Sequence, residues 1–155
     1  MSKHLAALLV GAAVLVAGCG STSGGDQDGD GGDGDAHPTG PPWPAYEVDD
    51  YTYTLRTSCF CAYAGDPVLV TVRDGEVVDA VYTRRGHDHA PGDAAEEWMR
   101  VTIEDVIDAA NDEDAYRVQV RWPEGQDYPS YVWIDQDGHM ADEEIGYRID
   151  DVTPA

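Results

Sequence analysis

The chain of 155 residues is poor in basic side chains: it has 9 Lys and Arg against 31 Asp and Glu, a formal net charge of −22. Because nucleic acids are bound through patches of Lys and Arg, this deficit argues against nucleic acid as a partner. It argues equally against a surface that adheres directly to anionic lipid headgroups. Lysine is almost absent, since the chain's only lysine is Lys3.

Nucleophilic side chains are also scarce in the part of the chain that we expect to fold, residues 46–155. This part has no lysine to form a Schiff base and no G-x-S-x-G motif, and its only serines are Ser58 and Ser130. Paired carboxylates are abundant, but in so acidic a chain their pairing carries almost no information. We therefore expect no enzymatic activity and no cofactor.

The chain also lacks an apolar run long enough for a lasting transmembrane helix. The run from Leu5 to Val16 would rise about 18 Å as a helix, against roughly 30 Å of bilayer hydrocarbon. Its last residue, Val16, begins the sequence V-A-G-C at residues 16–19, which is typical of a bacterial lipoprotein signal. We predict that residues 1–18 are removed and that acyl chains on Cys19 anchor the protein to the bacterial cell envelope, outside the cytoplasm. The alternative is a plain signal peptide that is cleaved nearby, with Cys19 incidental.

Residues 19–45 are predicted to form a disordered acidic linker behind that anchor. They consist largely of Gly, Ser, Asp and Pro, and such a segment buries too little apolar surface to offset the entropy of ordering. The predicted organisation is therefore a signal peptide (1–18), a lipidated Cys19 with its linker (19–45) and one folded domain (46–155). About 110 residues are enough for one modest hydrophobic core.

The periodicity of this domain predicts three strands, one helix and three strands. Strand-like alternation occurs at residues 51–57, 68–73, 76–83, 116–122, 130–135 and 145–149. Residues 103–110 instead place apolar side chains at helical spacing behind Thr102, a suitable N-cap, and residues 93–100 are expected to add a short helical turn. We predict an α+β fold with an antiparallel sheet of about six strands and one main helix packed on one face.

A resemblance to a known family rests on four motifs. They are Tyr51-x-Tyr53, Cys59-x-Cys61, V-x-V-R-D-G-x-V at residues 70–77, and Y-P before V-W-I-D at residues 128–135. These motifs resemble those of a numbered bacterial family, domain of unknown function 6174, and they cover most of residues 46–155. Members of this family are typically secreted proteins or lipoproteins with the same strand–hairpin–helix–strand layout. The resemblance implies a location and a fold, but no reaction.

Cys59 and Cys61 are the only cysteines of the predicted domain. Thiols outside the cytoplasm tend to be oxidised, and two strand residues of this spacing share a face, so a structural disulfide is the first interpretation. A redox-active pair, a metal-binding pair and two inert thiols remain open. The metal alternative would add His87 and His89, because two cysteines and two histidines can bind zinc or copper.

Five arginines are predicted to share one face of the sheet, opposite the larger apolar residues: Arg56, Arg73, Arg117, Arg121 and Arg148. One interpretation is cross-strand pairing with Asp and Glu. The other is a partner-binding face bearing Arg73, Arg117 and Arg121, for an anionic ligand or an unknown envelope protein. The expected function is a membrane-anchored binding or envelope-interaction module. The alternative is a redox or metal-handling lipoprotein that uses the Cys59-x-Cys61 pair.

Overall fold

The computed structural model describes residues 42–140 and 142–155, so the predicted signal peptide, Cys19 and nearly all of the linker lie outside it. Within these residues, no helix has the length and apolar character to cross a membrane. The elements in chain order are β1 (Tyr51–Ser58), β2 (Val68–Arg73), β3 (Glu76–Tyr82), a 3-10 helix (Glu97–Met99), α1 (Ile103–Ala110), β4 (Arg117–Arg121), β5 (Tyr131–Asp135) and β6 (Ile145–Pro154).

In the described part of the chain, six strands form one antiparallel sheet in the order β3-β2-β1-β6-β5-β4. Each half is a meander of three consecutive strands, and the pairing of β1 with β6 joins the halves. The predicted α+β class and six-stranded antiparallel sheet are thus confirmed. The predicted chain order is not matched in full, because a 3-10 helix, shorter than the turn expected across residues 93–100, precedes α1.

The hydrophobic core lies on one face of this sheet, beneath α1. Alternate residues of β1 and β2 are buried there, and α1 contributes four buried side chains: Ile103, Val106, Ile107 and Ala110. α1 begins with a capping box, in which Thr102 Oγ1 accepts from the Asp105 N–H while the Asp105 carboxylate accepts from the Thr102 N–H. No helix in residues 42–140 and 142–155 covers the opposite side of the sheet, which we call the open face.

Two tyrosines of β1 fix the start of α1. The Tyr51 hydroxyl accepts a hydrogen bond from the Ile103 N–H at 2.9 Å, and the Tyr53 hydroxyl donates to the Val101 carbonyl. The first N–H groups of a helix have no partner within the helix, so Tyr51 satisfies one of them. Burial raises the pKa of Tyr51 to about 12, and burial also raises the pKa of Tyr53 well above its ordinary value.

We expect the fold to lose stability as the pH rises from about 10 to about 12. Because the pKa values of Tyr51 and Tyr53 are higher in the folded state, their contribution to the free energy of unfolding is complete below pH 10.0. It is lost as the pH rises through the folded pKa, since the buried hydroxyls must then ionise. Urea unfolding at a series of alkaline pH values, followed by circular dichroism, measures this loss.

The Tyr53→Phe variant is the control for this alkaline loss. It removes one ionisable hydroxyl and one hydrogen bond, so its free energy of unfolding should be about 1 kcal/mol lower at neutral pH. Its stability should then fall less steeply at alkaline pH than that of the wild type. Parallel pH profiles for the two proteins would contradict this account.

Candidate functional site

Three arginines and one tyrosine lie in one row across the open face. Arg56 of β1 is opposite Arg148 of β6, which is opposite Tyr131 of β5, which in turn is opposite Arg121 of β4. Neighbouring strands are about 4.8 Å apart, so each of these side chains is within reach of the next. We call these four residues the arginine row.

Tyr131 lies between two guanidinium groups of this row. The Cζ atoms of Arg148 and Arg121 are 5.7 Å and 5.9 Å from the centroid of its ring, close enough for attraction between a cation and the ring. Among the described residues, neither of these arginines forms an ion pair with a carboxylate. Arg56, in contrast, is paired with Asp150 at 2.6 Å. Two of the three cations are therefore available to a ligand.

A groove with a volume of about 450 Å³ follows the arginine row. Besides the four residues of the row it is lined by Thr57, Ser58 and Gly65. Its volume falls within the range of roughly 300–1,000 Å³ that is usual for small-molecule sites. The groove is thus large enough for a small ligand and is positively charged, although the protein as a whole is strongly acidic.

Gly146 of β6, which has no side chain, lies beside the arginine row. A Cβ atom at this position would collide with Ser58 Oγ and would lie 3.1 Å from the Tyr131 hydroxyl and 3.4 Å from Trp133 Cδ1. The hydroxyls of Ser58 and Tyr131 therefore converge over a position that only glycine leaves open. Together with the guanidinium groups they make the groove rich in hydrogen-bond donors.

The loop that follows β1 contributes Gly65 to the lining of the groove. The Gly65 N–H donates to the Thr57 carbonyl at 2.7 Å, which closes the loop. Within it the sulfur atoms of Cys59 and Cys61 lie at bonding distance, and their Cα atoms are 5.2 Å apart. The bend at Phe60 shortens this separation from the roughly 6.6 Å of an extended strand. The structure thus brings together the two cysteines, as the disulfide interpretation requires.

The two histidines of the metal hypothesis lie in different surroundings. The His89 ring is buried and stacked on Tyr82, with the ring centroids 3.6 Å apart, and its Nε2 atom is 2.9 Å from the Asp66 carboxylate. His87 is exposed and lies 2.8 Å from the carboxylate of Asp88. In residues 42–140 and 142–155, no group of three or more His, Cys, Asp or Glu side chains is placed to hold a metal ion.

The arginines predicted to form a partner-binding face lie on the same face but far apart. Arg73 ends β2 and Arg121 belongs to β4, so four strand steps, or roughly 19 Å, separate them across the sheet, and they are also several residues apart along the strand direction. Arg117 is on the same strand as Arg121 but is opposite Asp135. The guanidinium group of Arg73 donates locally, to the Val72 carbonyl at 2.8 Å. Of the three, only Arg121 belongs to the groove.

Sequence reasoning missed three residues of the site: Ser58, Tyr131 and Gly146. Each falls on the open face because of the alternation of its strand, which the sequence shows. Their convergence depends on the pairing of β6 with both β1 and β5, which the local pattern does not show. A signal was present, since a glycine within a strand often marks a close approach of other groups.

Comparison with other proteins shows a family but no characterised relative. No curated protein and no solved structure is significantly similar to the chain. A family model described as a family of unknown function (DUF6174) matches residues 36–154, a range that includes all six described strands and α1. This match confirms the resemblance inferred from the motifs. The chain therefore belongs to the family of unknown function DUF6174.

Proposed function

We propose that this protein is a membrane-anchored binding module that captures a small anion on the open face of its sheet. The observation that carries the proposal is the placement of Arg121 and Arg148 on either side of Tyr131, with no ion-pair partner in the described residues. Guanidinium forks and hydroxyl donors match the oxygen atoms of carboxylate and phosphate groups. The Ser58 hydroxyl, beside the row, adds a donor to the same groove.

The charge of the rest of the protein restricts the size of the ligand. A net charge of −22 repels polyanions at long range, which disfavours nucleic acids and other large acidic polymers. Salt screens this repulsion beyond about 8 Å at physiological ionic strength, whereas contacts within the groove are shorter than that. The ligand class that fits is therefore a carboxylate or phosphate compound with one or two negative charges.

A lipid anchor at Cys19 is part of the same proposal, and the support for it comes from the sequence. The V-A-G-C motif places Cys19 directly after the predicted signal peptide, outside the described residues. Acyl chains on Cys19 would hold the domain at the surface of a bacterial membrane, and the groove would meet ligands outside the cytoplasm. An unknown envelope protein that offers an accessible carboxylate is a ligand of the same chemistry.

The Gly146→Ala variant tests the groove directly. Acetate, succinate and inorganic phosphate are titrated into the chain, and the amide signals of Tyr131 and Trp133 are followed by nuclear magnetic resonance. We expect saturable shifts with the wild type. Gly146→Ala should weaken binding about tenfold, because the added Cβ atom occupies the space of Ser58 Oγ.

Ser58→Ala provides the matched comparison for this titration. It removes one hydroxyl donor without filling the groove, so it should weaken binding only about fivefold, the equivalent of about 1 kcal/mol. Circular dichroism shows whether each variant is folded. The absence of saturable shifts with all three anions, or equal affinities for the wild type and Gly146→Ala, would contradict the proposed groove.

Redox chemistry at Cys59 and Cys61 is the alternative function. It is favoured by the adjacency of the two sulfur atoms and by the exposure of Cys61 at the surface. A bond across so short a loop gains little from loop closure, and exposed disulfides are often the reducible ones.

A further inference from the structure

The two edges of the sheet differ in how their backbone is covered. Along β3, the Tyr82 N–H donates to the Asp93 carbonyl at 3.0 Å and the Ala95 N–H donates to the Ala80 carbonyl at 2.9 Å. In the described part of the chain, β5 is the only strand that pairs with β4. No backbone group of a described turn or loop forms a hydrogen bond with the backbone of residues 117–120. One side of β4 therefore presents unpaired N–H and C=O groups, which is a template for another strand.

The side chains of β4 define which strand would fit beside it. Arg117, Gln119 and Arg121 point to the open face, and Arg117 and Arg121 form no ion pair with a described carboxylate. Val118 and Val120 point to the core face and are only half-buried. An added strand with acidic side chains on one face and apolar side chains on the other would pair with the arginines and cover the valines.

We propose that the free edge of β4 binds an extended segment of a partner protein in which acidic and apolar residues alternate. Backbone hydrogen bonds to β4 supply affinity, and the side-chain pattern of the segment supplies specificity. Two carboxylates of the segment, four positions apart, lie opposite Arg117 and Arg121. This inference goes beyond the anion groove, because it depends on the backbone edge and on Arg117, which the groove does not use.

A second copy of the chain fits this edge poorly. Antiparallel pairing of two β4 strands centred on Gln119 would place Arg117 of one copy opposite Arg121 of the other. Like charges directly opposite each other destabilise a strand pair, and charged edge strands are a common defence against self-association. Charge complementarity therefore favours an acidic partner over self-pairing.

A synthetic peptide of about ten residues that alternates aspartate with valine is the probe for this edge. Fluorescence anisotropy measures its binding to the full chain, and hydrogen exchange shows which amides it protects. We expect protection of the β4 amides. In an added strand, every second N–H group of the peptide would point toward β4. Methylation of these amide nitrogens should abolish binding, because they can no longer donate hydrogen bonds to the β4 carbonyls. Arg117→Glu should weaken binding at least about tenfold.

Arg148→Glu separates this site from the groove. The Arg148 side chain belongs to β6, so the variant should bind the peptide as the wild type does while losing small anions. The proposal is wrong if the peptide does not bind, if amide methylation or Arg117→Glu leaves its affinity unchanged, or if protection appears on β1 and β6 instead of β4. A dimer of the chain alone with protected β4 amides would assign the edge to a second copy and would also overturn the proposal.

Discussion

We expect the double variant Arg121→Glu/Arg148→Glu to lose the capture of small anions altogether. Each guanidinium group can make charge-assisted hydrogen bonds to the ligand, worth about 1.5–3 kcal/mol each, so losing both costs at least about 100-fold in affinity. The new carboxylates add repulsion. Both arginines are exposed, so the free energy of unfolding should fall by only about 1 kcal/mol, mainly through the lost contacts with Tyr131. Anion titration and urea unfolding of the same samples measure both effects.

The double variant Arg73→Glu/Arg117→Glu is the matched control for this experiment. It makes the same change of net charge on the same face of the sheet, but neither residue lines the groove. Its affinity for small anions should stay within about threefold of the wild type, because distant exposed charges are screened by salt. If this variant loses the ligand and Arg121→Glu/Arg148→Glu keeps it, the ligand binds elsewhere on the open face.

We expect Cys19→Ala to remove the protein from the membrane fraction or to leave residues 1–18 attached. Without the thiol there is no site for the diacylglyceryl group, and stable anchoring requires more than one acyl chain. Membrane fractionation and intact mass measure the two outcomes. The wild type should lack residues 1–18 and should carry the diacylglyceryl mass.

The double variant Cys59→Ala/Cys61→Ala is the control for the anchor. It should remain in the membrane fraction, because its two changes lie in the folded domain and leave Cys19 intact. A mature wild-type protein with an unmodified Cys19 would show that the chain is exported without this anchor.

Local sequence patterns were sufficient to locate the elements of the domain. Between the strand-like segments at residues 68–73 and 76–83, Asp74 and Gly75 have φ of 51° and 75°, as a two-residue hairpin turn with two left-handed residues requires. The helical spacing of residues 103–110 and the Thr102 cap were also predicted correctly. These features depend on residues close together in the chain, so the sequence displays them directly. The register shift in β3 opposite Thr71 and Val72 was not predicted, because the alternation there continues without a visible break.

The candidate site could be predicted only in part, because it depends on contacts that are distant in sequence. Alternation correctly places Arg56, Arg121 and Arg148 on one face of the sheet. Which of the arginines become neighbours depends on the pairing of β1 with β6, whose residues are more than 80 positions apart. The sequence therefore indicated a positively charged face but could not distinguish Arg148, inside the groove, from Arg73, outside it.

The pairing of β1 with β6 also determines when the domain can be completed. The two central strands of the sheet, β1 and β6, are the first and the last of the six described strands along the chain. The Ala155 N–H donates to the Asp50 carbonyl at 3.0 Å, so residues from the two ends of the described domain are in contact. The β1–β2–β3 meander can form early from local contacts, but β1 has no second neighbour in the sheet until β6 (Ile145–Pro154) has been synthesised. Because Arg148 belongs to β6, the groove cannot form before β6 has paired with its neighbours in the sheet. A chain that stops before β6 would therefore lack the proposed groove.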